Sequence, residues 1–240
     1  MKNNFRTAKQ NNAELTGDVE LGSERLKIDF SEIKTVFDDL VKKQKSQQPS
    51  SAVSDSRLHF IYQAQSPVLR LQTFKPLIFE DYRGQYLESW NSKDYEKWIS
   101  RYHESETSKL EWKQDDFSYS HKNVLRGLHG DFKTWKLVQC IKGRILLCVF
   151  NCNKKSETFK QHEFFTITEN NHQQVLIPPG YANGHLALVN DVVFHYKQSE
   201  FYDQKSQFIV KWNSSGMKWP IKDPILSKRD EQGPFLNLLK

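Results

Sequence analysis

Short apolar segments rich in β-branched and aromatic residues recur at roughly ten-residue intervals from about residue 67 onward. Segments of this length and spacing are typical of the strands of a β-sandwich or barrel, because turns interrupt them before a helix can form. The domain is therefore predicted to be mainly β. The clearest predicted strands cover residues 136–141, 144–150, 174–177, 192–197 and 207–212.

Local turn and helix signals add detail to this pattern. Lys142-Gly143 separates the first two predicted strands and predicts a hairpin between them. Residues 92–102 predict one helix, since Tyr95, Trp98 and Ile99 fall on one face at helical spacing.

The first 66 residues differ from the rest of the chain. Only three of the 31 aromatic residues (Phe5, Phe30 and Phe37) occur before residue 59. Residues 1–28 are polar and predict no regular structure, while apolar residues at helical spacing predict one amphipathic helix at about 29–45, followed by a linker. We predict an N-terminal extension, helical or disordered, over residues 1–66 and a β domain over residues 67–240.

Composition excludes several classes of protein. No apolar run is long enough to span a bilayer, and the N-terminus has no apolar signal segment. Three cysteines without CxxC spacing argue against disulfides and a zinc knuckle, which predicts a reducing, cytoplasmic location. The net charge of +6 is dispersed among acidic residues, so we predict no nucleic-acid partner and no membrane partner.

Four polar residues are set into or beside the predicted strands, where a core has no need of them: His129, Lys136, Tyr196 and Asp230. Taken singly, each also fits a structural role, as a core or turn histidine, a strand-edge charge, a barrel-lining aromatic or a turn residue. Converging in one pocket, they would suit the removal of a proton beside a carbonyl group. Such a proton is a weak acid, so the enolate oxygen must be stabilised by a cation or a donor.

A series of motifs over about residues 67–235 resembles the dTDP-4-dehydrorhamnose 3,5-epimerase family. The family patterns F-x-D-x-R-G, Q-D-N-x-S, V-L-R-G-L-H, K-L-V and I-P-P-G-F-A correspond in order to segments 79–84, 114–118, 124–129, 136–138 and 177–182 of this chain. Any one of these motifs is weak evidence, but the ordered series is strong. The resemblance implies a cupin-type jelly-roll barrel, usually a homodimer, that epimerises a nucleotide-linked 4-keto-6-deoxy sugar at C3, at C5 or at both, with no cofactor and no metal.

The resemblance also implies a role for each matching residue. His129 would be the base that removes the proton, and Asp230 would orient it. Lys136 would stabilise the enolate oxygen, and Tyr196 would return a proton from the other face. The residues implied to bind the nucleotide-diphosphate sugar are Gln114, Arg126, Asn183, His185, Tyr202 and Arg229, together with Arg83, Tyr86 and Glu88 reaching across the dimer.

Some positions depart from the family pattern. Asn183 stands where the family's A-H-G-F has histidine, and His185 follows two places later. Leu147 replaces an aspartate found in many members, and His129-Gly130-Asp131 replaces H-F-Q. These departures point to a branch acting on nucleotide-linked 4-keto heptoses or unusual deoxysugars.

Three other functions are possible for a cupin scaffold. A metal-dependent cupin needs an H-x-H pair, and the sequence has none. A 3,4-ketoisomerase on the same scaffold would use related proton transfers. A non-catalytic nucleotide-sugar-binding cupin would be expected to have lost His129 or Tyr196, and both are present.

Overall fold

The computed structural model describes residues 16–21, 24–29, 61–102, 110–214 and 216–233 of the 240-residue chain. It divides into two compact units, Met1–Ser56 and Arg57–Lys240. Within the described residues, no helix has both the length and the apolar character needed to cross a membrane.

The first unit contains an antiparallel pair of strands, β1 (Thr16–Leu21) and β2 (Glu24–Asp29). The sequence predicted no regular structure here, because these segments are polar overall. The register pairs the two strands along their whole length, from Thr16 opposite Asp29 to Leu21 opposite Glu24. Strand pairing is made by backbone groups, which a polar segment also supplies. The helix predicted at 29–45 lies outside the described residues, apart from Asp29 at the end of β2.

The second unit is built on two antiparallel sheets. The six-stranded sheet has the order β3-β4-β12-β9-β14-β7, and the five-stranded sheet has the order β11-β10-β13-β8-β15. The strands of the first sheet are β3 (Ile61–Gln65), β4 (Gln72–Pro76), β7 (Gln114–Ser120), β9 (Lys136–Lys142), β12 (Gln174–Ile177) and β14 (Val192–Gln198). Those of the second are β8 (Leu125–Gly130), β10 (Arg144–Asn151), β11 (His162–Thr168), β13 (Tyr181–Ala187) and β15 (Phe208–Ile209).

The main core lies between these sheets. Val138 and Phe194 of the six-stranded sheet belong to one buried apolar cluster with Ile145, Leu147 and Ile167 of the five-stranded sheet. Each fully buried aliphatic side chain contributes about 1.5–3 kcal/mol to folding. Leu147, which replaces a family aspartate, is fully buried here and so belongs to the core.

The predicted hairpin at Lys142-Gly143 is wrong in its pairing. Strands β9 and β10 begin and end close to the predicted positions, but β9 pairs with β12 and β14, whereas β10 pairs with β11 and β13. Gly143, at φ +84°, turns the chain from one sheet into the other. Apolar residues along both strands explain the error, because a local turn signal does not say whether two strands pair side by side or face each other across a core.

Other predicted elements agree more closely with the structure. Helix α1 (Ser92–Tyr102) has the predicted bounds, and its Tyr95 and Ile99 are buried in a second cluster against Phe74 and Leu176. The predicted strand at 207–212 is reduced to the two residues of β15. The short helix α2 (Lys228–Glu231) begins after Ser227, whose side chain accepts a hydrogen bond from the Asp230 backbone N–H.

The predicted boundary at residue 66 falls inside the second unit. Strand β3 pairs along its length with β4, so residues 61–65 form the edge of the six-stranded sheet. A separate two-stranded hairpin follows, formed by β5 (Ile78–Asp81) and β6 (Gly84–Leu87). The N-terminal extension as a separate segment stays a prediction.

Candidate active site

A cavity of about 650 Å³ opens among strands β7, β8, β9, β13 and β14 and the segment that leads into α2. Ten of the thirteen predicted site residues line it: Gln114, Arg126, His129, Lys136, Asn183, His185, Tyr196, Tyr202, Arg229 and Asp230. The structure therefore brings all four predicted catalytic residues into one cavity, although they come from four different elements.

The imidazole of His129 is paired with the carboxylate of Asp230. His129 Nε2 lies 2.6 Å from Asp230 Oδ1. A carboxylate only accepts hydrogen bonds, so Nε2 carries the proton and a neutral ring keeps its lone pair on Nδ1. Burial raises the pKa of Asp230, but hydrogen bonds from His129, Ser227 and the backbone outweigh it and leave the pKa lowered. The pair therefore holds His129 in one tautomer with one nitrogen able to accept a proton.

Lys136 is a buried amine at the first position of β9. Burial lowers its pKa, and the charge of Asp131 opposes that shift only in part. Its Nζ donates to Asn183 Oδ1 at 3.4 Å, and Asn183 lies opposite His129 in the β13–β8 register. Because Asn183 faces His129, the amine and the imidazole line the same part of the cavity. Among the described residues, the amine makes one side-chain hydrogen bond, the long one to Asn183.

Tyr196 lies on β14, half-buried, on the wall formed with β7. Burial raises the pKa of its phenol to about 12, and the charges of Asp116 and Tyr202 add to the effect. The phenol is therefore protonated at neutral pH and able to donate a proton.

Alternation along β7 and β14 explains why these side chains reach the cavity. Neighbouring residues of a strand point to opposite faces. On β7 the inward residues Gln114, Asp116 and Ser118 line the cavity, while Phe117 and Tyr119 between them are exposed.

Two arginines, Arg126 and Arg229, also line the cavity. Arg126 donates to Ser120 Oγ and to the Tyr119 carbonyl, both at 3.0 Å. Arg229 donates to Gln207 Oε1 at 3.0 Å and to the Tyr202 hydroxyl at 3.3 Å. Planar guanidinium groups match the oxygens of a phosphate, so these side chains suit a diphosphate.

His185 is a buried residue in the wall of the cavity. It stacks on Phe194 with ring centroids 4.1 Å apart, and its Nε2 has no hydrogen-bond partner within the described part of the chain. Burial, helped by the charge of Arg126, lowers its pKa to about 3, so the ring is neutral. A neutral imidazole can either donate or accept a hydrogen bond here.

Strands β8 and β13 approach closely at Gly127, between Arg126 and His129. Gly127 has φ +103°, and a Cβ atom there would lie 2.6 Å from the Asn183 carbonyl oxygen. Only glycine fits this contact, and the register between the two strands shifts beside it, between Asn183 and His185. This irregularity sets Arg126 opposite His185 and His129 opposite Asn183.

Three predicted binding residues do not line the cavity of their own chain. Arg83 and Tyr86 lie on the exposed β5–β6 hairpin, where Arg83 pairs with Asp81 and Tyr86 is 68% exposed. Glu88 follows this hairpin and accepts a hydrogen bond from Asn91 Nδ2 at 3.0 Å.

Several cavity-lining residues were not singled out by the sequence, namely Asp116, Ser118, Gln198, Gln207 and Ser227. The first three share strand parity with Gln114 or Tyr196, and that alternation was the signal available to find them. Gln207 and Ser227 lie in irregular segments, where no such periodicity exists. Among the described residues, no group of three or more His, Cys, Asp or Glu side chains forms a metal-binding cluster.

The family model for dTDP-4-dehydrorhamnose 3,5-epimerase matches residues 66–237. The chain belongs to this family. The family member from Salmonella typhimurium is 35% identical over 169 residues, which cover 68% of this chain and 88% of the relative. The Shigella flexneri member is 34% identical over 165 residues, covering 67% and 87% respectively.

Solved structures of the family share the fold. The Bacillus anthracis dTDP-4-dehydrorhamnose 3,5-epimerase, solved with TDP and PPi bound, is 31% identical, with a TM-score of 0.67 over 73% of this chain and 99% of that one. The Legionella pneumophila enzyme in complex with dTDP-4-keto-L-rhamnose is 29% identical, with a TM-score of 0.67 over 75% and 95%. The predicted family, the mainly β jelly-roll fold and the assignment to a class of epimerases are confirmed. The role of each site residue, the absence of a cofactor and the heptose branch stay predictions.

Proposed function

We propose that the protein epimerises a dTDP-linked 4-keto-6-deoxy sugar at C3 and C5. The observation that carries this proposal is the convergence of His129, paired with Asp230, and Tyr196 and Lys136 on one cavity. The relatives named above support the choice of nucleotide and sugar, because their names specify that substrate.

In the proposed reaction, His129 Nδ1 accepts the proton from C3 or C5 of the sugar. The C–H electron pair forms a C=C bond to C4, and the π electrons of the C4 carbonyl move to its oxygen, which gives the enolate. Tyr196 then donates its phenolic proton to the opposite face of the same carbon, the C4 carbonyl forms again, and the configuration is inverted. Asp230 keeps the proton on Nε2 throughout, which holds Nδ1 ready as the base.

Lys136 supplies the charge that makes proton removal feasible. Among the described residues its buried amine makes one long hydrogen bond, to Asn183, which a stronger acceptor could replace. An enolate oxygen at C4 is such an acceptor, and the negative charge that develops there stabilises the ammonium form. We propose that Asn183 and His185 contact the sugar, that Arg126 and Arg229 bind the diphosphate, and that Gln114 and Tyr202 also contact the substrate.

We propose a homodimer in which the β5–β6 hairpin of one subunit contacts the nucleotide bound by the other. The exposure of Arg83 and Tyr86 outside their own cavity supports this arrangement. We also propose a cytoplasmic location, because all three cysteines are buried and free, as a reducing compartment would keep them.

The activity is tested by incubating the protein with the dTDP-linked 4-keto-6-deoxyhexose in deuterated water. We expect deuterium at C3 and C5, detected by NMR, together with the inverted sugar. Binding of the nucleotide sugar without exchange would show a non-catalytic module, and a carbonyl that moves from C4 to C3 would show a ketoisomerase. Either result would contradict the proposal.

The dimer is tested by subunit exchange between two inactive variants, His129→Gln and Arg83→Ala. A mixed dimer contains one site with both native residues, so mixing should restore activity if Arg83 acts across the interface. A mixture that stays as inactive as its components, although the subunits exchange, would contradict the cross-dimer role.

A further inference from the structure

Asp116 places a carboxylate inside the cavity that the mechanism above does not use. Its Oδ2 accepts hydrogen bonds from Gln114 Nε2 and from Gln198 Nε2, both at 2.8 Å. Within the part of the chain that the structure describes, Asp116 makes no ion pair and its Oδ1 has no hydrogen bond. The neighbouring Asp115 differs, since its carboxylate points outward and pairs with Lys197 at 2.7 Å. The acceptor is therefore fixed in place by two amides and left with one free oxygen.

The position of Asp116 indicates which end of the substrate it meets. It lies directly opposite Tyr196 in the β14–β7 register, and both side chains line the cavity. Facing side chains in an antiparallel pair are separated by about 5 Å at Cβ. Because a carboxylate repels phosphate, a diphosphate is better accommodated beside Arg126 and Arg229 than here. Tyr196 acts on the sugar ring in the proposed reaction, so the ring is also the part of the substrate next to Asp116, which faces Tyr196.

Sugar hydroxyl groups are the donors that this oxygen lacks. A partly buried carboxylate oxygen is costly unless it accepts hydrogen bonds, and a ring hydroxyl can supply one. A charged carboxylate accepts hydrogen bonds and donates none, so the Asp116 side chain can recognise only a donor group of the sugar.

A second observation points to a polar ligand at the same wall. Ser118, two residues along the inner face of β7, has a buried Oγ without a partner within the described residues, as has His185 at Nε2. Phe194 lies opposite Ser118 in the register and stacks on His185, so the two polar groups flank the same ring. Unpartnered polar atoms are rare inside proteins and are commonly satisfied by a ligand or water.

We propose that Asp116 is a specificity-determining residue that accepts a hydrogen bond, through Oδ1, from a sugar hydroxyl on or next to the carbon that Tyr196 protonates. Gln114 and Gln198 are positioning residues for this carboxylate. The site thereby selects nucleotide sugars that carry a hydroxyl at C2 or C3 over their deoxy analogues. This proposal deepens the function proposed above and rests on it for the identity of the sugar.

The experiment measures calorimetric affinities of TDP, TDP-glucose and the 2-deoxy and 3-deoxy analogues of TDP-glucose. The proteins are the wild type, Asp116→Asn, Asp116→Ala and a control, Asp191→Asn, which makes the same chemical change in an exposed turn. We expect Asp116→Ala to weaken TDP-glucose binding about 10- to 100-fold, and Asp116→Asn to weaken it less. TDP alone should bind the two Asp116 variants as well as the wild type or more tightly, and the control should match the wild type.

The deoxy analogues identify the hydroxyl. The analogue that lacks it should bind the wild type about 10- to 100-fold more weakly than TDP-glucose and be insensitive to Asp116→Ala. If both analogues lose affinity in Asp116→Ala as much as TDP-glucose does, or if the variants change TDP affinity alone, Asp116 does not recognise a sugar hydroxyl. Asp116→Asn preserves the side-chain volume, so it keeps the test valid if the alanine variant fails to fold.

The binding readout separates this proposal from the proposed function. A wild type that binds TDP-glucose but exchanges no deuterium with the 4-keto sugar would contradict the epimerase and leave the role of Asp116 standing. An active epimerase whose Asp116 variants discriminate between hydroxy and deoxy sugars as the wild type does would contradict only the role of Asp116. A wild type that binds no nucleotide sugar would overturn both.

Discussion

Two histidine–aspartate pairs lie in the same domain, and only one of them is equipped for proton transfer. In the cavity, His129 Nε2 contacts Asp230 at 2.6 Å, and the Asp230 side chain is 4% exposed. On the outer face of the six-stranded sheet, His195 Nε2 lies 3.3 Å from Asp115, whose side chain is 47% exposed. A histidine beside an aspartate is therefore not by itself a sign of catalysis.

The difference lies in the second ring nitrogen. His195 Nδ1 accepts a hydrogen bond from Gln139 Nε2 at 2.8 Å, and Gln139 in turn is held by Gln174, so both nitrogens of His195 are occupied. His129 makes its side-chain hydrogen bond to Asp230 alone within the described residues, and its other nitrogen is available. Burial lowers the pKa of His195 more than Asp115 raises it, which also keeps this ring neutral. The outer pair links β7, β14 and β9, and the inner pair can accept a proton.

The largest expected difference between the pairs is in turnover. His129→Gln should lower kcat for epimerisation about 10³- to 10⁴-fold, because no other group replaces the base. His195→Gln should change kcat less than about threefold. Both variants are assayed by deuterium entry at C3 and by product formation. Comparable losses in the two variants would remove the distinction drawn here.

The aspartates of the two pairs should differ in the same direction, with a larger effect on kcat at Asp230 than at Asp115. Asp230→Asn should lower kcat about 10²-fold or more, because the new amide can donate to Nε2 and force the proton onto Nδ1, the wrong tautomer for a base. Asp115→Asn, the matched change in the outer pair, should stay within about twofold of the wild type. NMR of the imidazole nitrogens reports the tautomer directly. An unchanged tautomer in Asp230→Asn, with full activity, would contradict the orienting role.

A substitution of Tyr196 tests whether its phenol supplies the proton that the inner pair, His129 and Asp230, cannot deliver to the opposite face. Tyr196→Phe should slow product formation more than deuterium exchange at C3, since His129 can still remove and return the proton on its own face. We expect a loss of about 10²-fold in product. Equal losses in exchange and in product would show that Tyr196 is not the opposite-face acid.

The pH profile should report Lys136. Burial lowers the pKa of this amine, so it loses its proton at a lower pH than an ordinary lysine with a pKa of 10.5. Activity should fall about tenfold per pH unit above that lowered pKa, because the neutral amine stabilises an enolate poorly. The same alkaline limb should remain in Tyr196→Phe, which excludes the phenol as its source. A limb at or above pH 10.5, or one that disappears in Tyr196→Phe, would contradict this assignment.

The smallest effect concerns stability and lies within the outer pair. His195→Ala should lower the free energy of unfolding by about 1–3 kcal/mol, because the buried Gln139 side chain loses its hydrogen-bond partner. Asp115→Ala should cost less, since the Asp115 side chain is 47% exposed. Chemical denaturation of both variants measures the difference. A reversed order would mean that the exposed carboxylate, and not the buried ring, holds the strands together.

Most strands could be predicted from local sequence patterns. The predictions that were wrong concern the pairing of strands, which local patterns do not show. Strands β9, β10, β12 and β14 follow from apolar, β-branched runs, and the face that Tyr196 presents follows from period-two alternation. The pairing of β9 and β10 could not be predicted, because it depends on which sheet each strand joins. β1 and β2 were missed because a polar segment lacks the apolar alternation that indicates a strand, although its backbone can pair.

By itself, the sequence determined the family, the strand periodicity and the chemical types available for proton transfer. Only the tertiary structure decided which histidine can use them. His129 and Asp230 are 101 positions apart, and they meet because α2 returns beside β8. His195 and Asp115 form a pair of the same residue types, but Gln139 occupies the remaining ring nitrogen, Nδ1, of His195. Proton-transfer chemistry depends on unoccupied lone pairs, and these are set by contacts between distant strands.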